Sequence, residues 1–237
     1  MLFRSHRPFS YWIYQSSNPR FQNATNHRHH RRLTRMSDSK SEPVTLPPPR
    51  VHIYGHVSAA PRALAEVIGG FVSDEVATES DVAIFVINPA AGINDETIDI
   101  WRSLDELQIP RIVAVTVLDG QDLDFDDAVV LANRVLDSVI SPYLVLHAES
   151  GEPIALIRLS DLEIIDYSTK PPMVRHSDPE HEELVREFRE EYFEQISEMD
   201  NGAFAAGILF PAIPINIARG LGVDILLQYI NELPRSG

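Results

Sequence analysis

Apolar residues run unbroken through Val82-Ala83-Ile84-Phe85-Val86-Ile87 and again through Ile112-Val113-Ala114-Val115 after Arg111. Continuous runs of this length, closed by Asn88-Pro89 in the first case, predict strands buried on both faces of a parallel sheet. Val51-His52-Ile53-Tyr54 predicts a shorter strand stopped by Gly55. Between the runs the spacing changes to a helical one: Leu64, Val67, Ile68 and Phe71 predict a helix over 61–71. A second helix is expected over 95–107, capped by Asn94 with acids in its first turn, and a third over about 126–136. Strands and helices in alternation predict a three-layer α/β domain with a mainly parallel sheet.

The rhythm breaks after residue 140. Three short strands are expected at 143–146, 154–159 and 163–167, with Gly151-Glu152-Pro153 as a turn, forming a small β insertion. Asp178-Pro179 then opens an acidic helix over 180–199, whose stripe of Leu184, Phe188, Glu191, Tyr192 and Ile196 is half apolar and packs one face. A last strand at 208–211 and a last helix at 222–233 complete the pattern.

Charge divides the chain. Residues 1–36 hold seven Arg, four His and no acid, leaving 13 basic against 35 acidic residues, a formal −22, over 37–237. A globule that negative repels phosphate backbones, which argues against nonspecific nucleic-acid binding by the folded part. Three readings fit the basic segment: translation begins at Met36 and residues 1–35 are not part of the protein, the segment is an organelle transit peptide, or it is a binding arm. Residues 1–49 are expected to be a disordered tail ending in the stiff linker Pro47-Pro48-Pro49, with the domain over 50–237. With no Cys, disulfides and thiolate chemistry are excluded. No stretch approaches 18 consecutive apolar residues, so no membrane-spanning helix is expected.

Candidate chemistry gathers at the turn after the first strand. Gly55-His56-Val57-Ser58-Ala59-Ala60-Pro61-Arg62 stands where a strand, a Gly-led loop and a helix make a phosphate-binding site. It resembles the Gly-His-Val-Asp-Ala-Gly-Lys-Thr loop of translational GTPases, the group of elongation factor G. The resemblance covers roughly residues 50–235: Ser80 through Gly92, then Glu96, Thr97 and Trp101, is similar to the family's segment after the second switch. Ile109 through Asp119 is similar to the strand and guanine-reading Asn-Lys-x-Asp, and Leu209 through Pro234 to the third guanine motif and final helix.

The resemblance implies a P-loop GTPase-type fold, GTP or GDP with Mg²⁺, a ribosomal setting and the cytoplasm. It implies contacts at Gly55, His56, Ser58, Ala60, Arg62, Thr116, Asp119 and Asn216. The departures from the family pattern are chemical. Pro61 stands at the Lys position, removing a cation and an N–H, and Arg62 at the metal-binding hydroxyl. Ala60 replaces the second glycine, and Thr116 and Val117 replace Asn and Lys. Asn216-Ile217 replaces Ser-Ala. Only 18 residues separate Arg62 from Asp81, so both switches and two sheet strands are absent.

The expected fold is therefore a P-loop GTPase type without switch-region strands, and the expected function that of a degenerate, non-hydrolysing binding or regulatory module. No cofactor is expected of it. The sheet edge left by the lost strands is the expected place for a protein partner or a homodimer. The chain ends where the factor's further domains would begin, which weakens the ribosomal expectation. The alternative is residual guanine-nucleotide binding through Asp119, with Arg62 replacing the loop Lys and slow hydrolysis. Asp122, Asp124, Asp126 and Asp127 suggest a calcium loop but place Asp127 and Asn133 at its Gly and Glu positions, so they are helix-start acids. His147 with Glu149, and His176 with His181, lack a third ligand and are expected on the surface or in loops. No nucleophile elbow or His–acid pair marks another enzyme.

Overall fold

The structure, a computed structural model, describes residues 47–117, 125–200 and 202–234. Its elements in chain order are β1 (Val51–Tyr54), α1 (Pro61–Ile68), β2 (Phe71–Val72), β3 (Val82–Ile87), α2 (Asp95–Asp105), β4 (Arg111–Thr116), α3 (Phe125–Val135) and β5 (Val139–Ile140). They continue with β6 (Tyr143–His147), β7 (Pro153–Arg158), β8 (Glu163–Asp166), β9 (Met173–His176), α4 (Pro179–Ile196), β10 (Phe210–Ile215) and α5 (Val223–Glu232).

One sheet has six strands in the order β2-β1-β3-β4-β10-β5, all pairs parallel. The step from β1 to β2 runs one way along it and those from β3 to β4 and β4 to β5 the other. Right-handed crossovers therefore set α1 against one face and α2 and α3 against the other, giving the three layers expected. β3, β4 and β10 are buried at every position, as unbroken apolar runs require. Asn94 caps α2 by accepting from the Thr97 N–H at 3.1 Å.

The core between α2 and the sheet is aromatic. Phe85 lies 4.8 Å from the Trp101 ring, edge to face, and Trp101 lies 5.1 Å from Phe210. Fully buried Arg111 lays its guanidinium against both rings, 4.5 Å from Trp101 and 4.2 Å from Phe210. Its charge is met by the Trp101 carbonyl at 2.9 Å and by the Asp105 carboxylate. An arginine in a hydrophobic strand is thus a core residue at the start of β4, at the opposite end of the strand from the loops described below.

The second sheet is antiparallel, ordered β6-β7-β8-β9, with α4 on its apolar face. Its other face packs into the main core through Tyr143, Leu156, Ile165 and Tyr167. Polar contacts add to this: the Tyr167 hydroxyl donates to Asp224 at 2.6 Å, and Arg219 pairs with Glu152 at 2.8 Å.

Several boundaries differ from the sequence pattern. The helix expected to Phe71 stops at Ile68, because Gly69 takes a left-handed φ of 78° and closes it. Phe71 and Val72 instead form β2 beside β1, exposed at 63% and 37%. The edge strands β2 and β5, of two residues each, and exposed β9 carry too little apolar pattern to be read in advance. The last strand runs over 210–215, since Pro211 and Pro214 masked it. The Val117 N–H donates to the Ile215 carbonyl, so alternate residues from Ile215 face β4 and Pro214 turns away from it. Pro211 lies one position before pairing with β4 begins, so neither proline breaks that ladder. On α4 the buried residue is Val185, with Phe188 and Tyr192 packed beside it, whereas Leu184 is exposed at 41%. The helix ends at Ile196. Asp178 caps its start, accepting from the His181 N–H at 3.0 Å.

Candidate functional site

Parallel strands deliver their following loops to one edge, and the crevice at the reversal of strand order, between β1 and β3, is where such sheets take ligands. Gly55, His56, Ser58, Ala60 and Arg62 follow β1, Thr116 ends β4 and Asn216 follows β10, so the structure brings these residues to that edge. Asp119, like Asp122 and Asp124, lies outside the described residues.

Gly55 has φ 144°, and a Cβ there would lie 2.3 Å from the Val86 carbonyl oxygen, so only glycine lets β1 turn this close to β3. The following residues Val57–Ala59 wind into a 3-10 turn. In it the Ala59 N–H donates to the His56 carbonyl at 2.9 Å and the Ala60 N–H to the Val57 carbonyl at 3.1 Å. The Ser58 N–H is directed to His56 Nδ1 at 3.3 Å, and the Ser58 hydroxyl lies 2.8 Å from the same nitrogen. Ala60 takes a left-handed φ of 56°, and Pro61 starts α1 with no N–H to offer. The turn therefore spends three of its N–H groups on itself.

Asn88 locks this turn to the next strand. Its Nδ2 donates to the Ser58 carbonyl at 3.1 Å while its Oδ1 accepts from the Ala90 N–H at 3.0 Å. Sequence reading treated Asn88 only as a strand terminator; the signal that could have found it is an Asn-Pro pair directly after a buried strand in a fold with a Gly-led first loop.

The other end of the edge is equally self-contained. Thr116, 7% exposed, donates its hydroxyl to the Ile87 carbonyl at 3.1 Å. Asn216, 6% exposed, donates to the Val117 carbonyl at 3.0 Å and accepts from the Arg219 N–H at 3.2 Å. Ile217 packs partly buried against the main core. Arg62 differs from all of these, being exposed on the first turn of α1 with no ion pair among the described residues. His147 and His176 end strands β6 and β9, and His181 lies in α4 beside Asp178, its Nδ1 2.7 Å from the carboxylate. Among the described residues no group of three or more His, Asp or Glu is placed to hold a metal ion.

The strand order and the loop–helix unit after β1 define an α/β fold of the P-loop GTPase type. The crystal structure of a Thermus thermophilus protein superposes with a TM-score of 0.62 at 20% identity, covering 79% of this chain and 40% of that one. The chain is similar to elongation factor G-like proteins. It is 24% identical to that of Mycobacterium tuberculosis (strain CDC 1551 / Oshkosh) over 173 residues, 63% of this chain and 24% of the relative. To that of Thermotoga maritima it is 25% identical over 201 residues, 72% of this chain and 27% of the relative. It thus spans about a quarter of the length of these curated relatives. No protein-family model matches the chain. Among the described residues no helix is long and apolar enough to cross a membrane.

Proposed function

We propose that residues 50–237 form a translation-related pseudo-GTPase module that binds or regulates another protein and does not hydrolyse GTP. The observation that carries this reading is the self-bonded turn after β1. A phosphate cradle presents free N–H groups and a cation, whereas Ser58, Ala59 and Ala60 direct theirs inward, Pro61 has none, and Asn88 fastens the turn. Opening it for a nucleotide would cost several hydrogen bonds of about 1 kcal/mol each before any ligand contact was made. The similarity to elongation factor G-like proteins supports a setting beside the translation apparatus in the cytoplasm. The exposed pair Phe71 and Val72 at the β2 margin supports strand addition by a protein partner or a second copy.

A second reading, residual guanine-nucleotide binding with Mg²⁺, is favoured by one feature: Arg62 stands exposed on the first turn of α1, where a phosphate would meet it. Heat unfolding with millimolar GDP or GTP and Mg²⁺ separates the two. A ligand at about a hundred times its dissociation constant stabilises by about 2.7 kcal/mol, a shift of a few degrees. The pseudo-GTPase reading expects no shift. A Mg²⁺-dependent, guanine-specific rise that disappears in Arg62→Ala overturns it.

A further inference from the structure

A cleft of about 340 Å³ opens where β6, the turn after β7, α4 and α5 meet, away from the edge described above. Its volume falls in the range of small-ligand sites, roughly 300–1,000 Å³. Buried Pro142 and Tyr143 line its deeper part, half-buried Tyr192 and Tyr229 come from the two helices, and exposed Asp161 and Glu232 stand on different elements at the opening. Burial raises the phenols of Tyr143, Tyr192 and Tyr229, so all three rings are neutral at physiological pH.

The charge balance decides what such a cleft takes. Arg158 lines it, but its guanidinium is committed to two carboxylates: Nε donates to Asp161 at 2.9 Å, and Nη2 pairs with Asp161 at 2.7 Å and with Glu163. Arg189, the nearest further cation on α4, is spent on the carbonyls of Leu159 at 2.8 Å and Ser160 at 3.2 Å. Glu232 accepts only from the Gln228 amide at 2.8 Å, and no cation pairs with it among the described residues. Among the described residues an anion would find no free positive group at the cleft, whereas a cation would find aromatic rings and an unneutralised carboxylate.

We propose that this cleft binds an organic cation, a guanidinium or ammonium on an alkyl stem, with the head at Glu232 beside the rings of Tyr192 and Tyr229. Phenol rings attract such a cation through their negative faces, and desolvation strengthens the attraction. The flexible stem supplies apolar contact while the head keeps its charge at the rim. The cation comes from one of two sources, a free amine or the basic side chain of a peptide, and the chemistry of the site is the same for both. The proposal is independent of whether the edge after β1 takes a nucleotide.

The test is isothermal titration of the full chain with agmatine, with a tri-arginine peptide and with inorganic phosphate. Agmatine is expected to bind, with Glu232→Gln weakening it by about tenfold and Tyr192→Leu by a similar factor. Glu187→Gln, which removes the same charge from an exposed position on α4 outside the cleft, is expected to change nothing. Tighter binding of the peptide than of agmatine assigns the site to a protein side chain, and the reverse to a free amine. No binding of either up to about 10 mM, a preference for phosphate, or equal weakening by Glu187→Gln and Glu232→Gln, the mark of diffuse attraction to an acidic surface, each overturns the proposal.

Discussion

The two sheets of this molecule are built on different terms. In the parallel sheet β3, β4 and β10 are buried at every position and share an aromatic core with α2. In the antiparallel sheet one face packs on α4 around Val185, and β9 is exposed at three of its four positions. The first is a scaffold in which nearly every side chain has neighbours on both sides. The second is an outer layer whose inner side, with Tyr143, Leu156, Ile165 and Tyr167, joins that core, with polar ties from Tyr167 to Asp224 and from Arg219 to Glu152. Its far edge and α4 face outward. Local opening should therefore start in the second.

The largest effect belongs to the scaffold. Phe85→Ala, which removes the ring between Tyr54 and Trp101, is expected to cost about 3–5 kcal/mol in urea unfolding. Gly55→Ala follows at about 2–3 kcal/mol, since its Cβ meets the Val86 carbonyl at 2.3 Å in a left-handed conformation. An unchanged urea midpoint would show that the turn relaxes freely. Tyr167→Phe is expected to cost about 1 kcal/mol. Its signature is faster amide exchange in β6 to β9 with β3 and β4 unchanged, and uniform acceleration would mean the two sheets open as one.

Asp178→Ala is likewise expected to cost about 1 kcal/mol near neutral pH, by removing the cap of α4. The His181 N–H, with the imidazole beside it, holds the Asp178 carboxyl below its ordinary value of 3.8. That contribution is complete above the ordinary carboxylate value and is lost as pH falls through the lower folded one. The difference between wild type and variant in helix content, followed by circular dichroism, should shrink as the pH falls below the ordinary carboxylate value and vanish once it is well below the lowered folded one. Smallest is Arg219→Ala, at most about 1 kcal/mol for a half-exposed ion pair, read as a slight loosening of the β6–β7 turn.

The same contrast explains what the sequence disclosed. Runs such as Val82–Ile87 announce double-sided burial, and Asn94 and Asp178 announce caps, because both are local signals. Two-residue β2 and β5 have no period to detect, and their pairing comes from neighbours distant in sequence. Val185 was missed in favour of Leu184 because the packed face of α4 is set by the β6–β8 surface it meets. At the candidate site Gly55 to Arg62 were legible from the Gly-led turn, and Thr116 and Asn216 only through the family resemblance. Their hydrogen bonds were not, since Asn88 reaches Ser58 across 30 positions. The cleft at Tyr143, Tyr192 and Tyr229 joins three segments that no linear pattern connects.

The prolines of β10 reach beyond their own strand. Pro214 faces away from β4, where β5 has already ended, and offers no N–H there, while Val139 and Ile140 of β5 are 2% and 4% exposed. That margin of the parallel sheet is shut to a further strand, and among the described residues the β2 margin is its open one. A sheet that can be extended on one side only has a single valence. Two copies meeting through it would satisfy each other in a closed pair that the parallel sheet could not extend further.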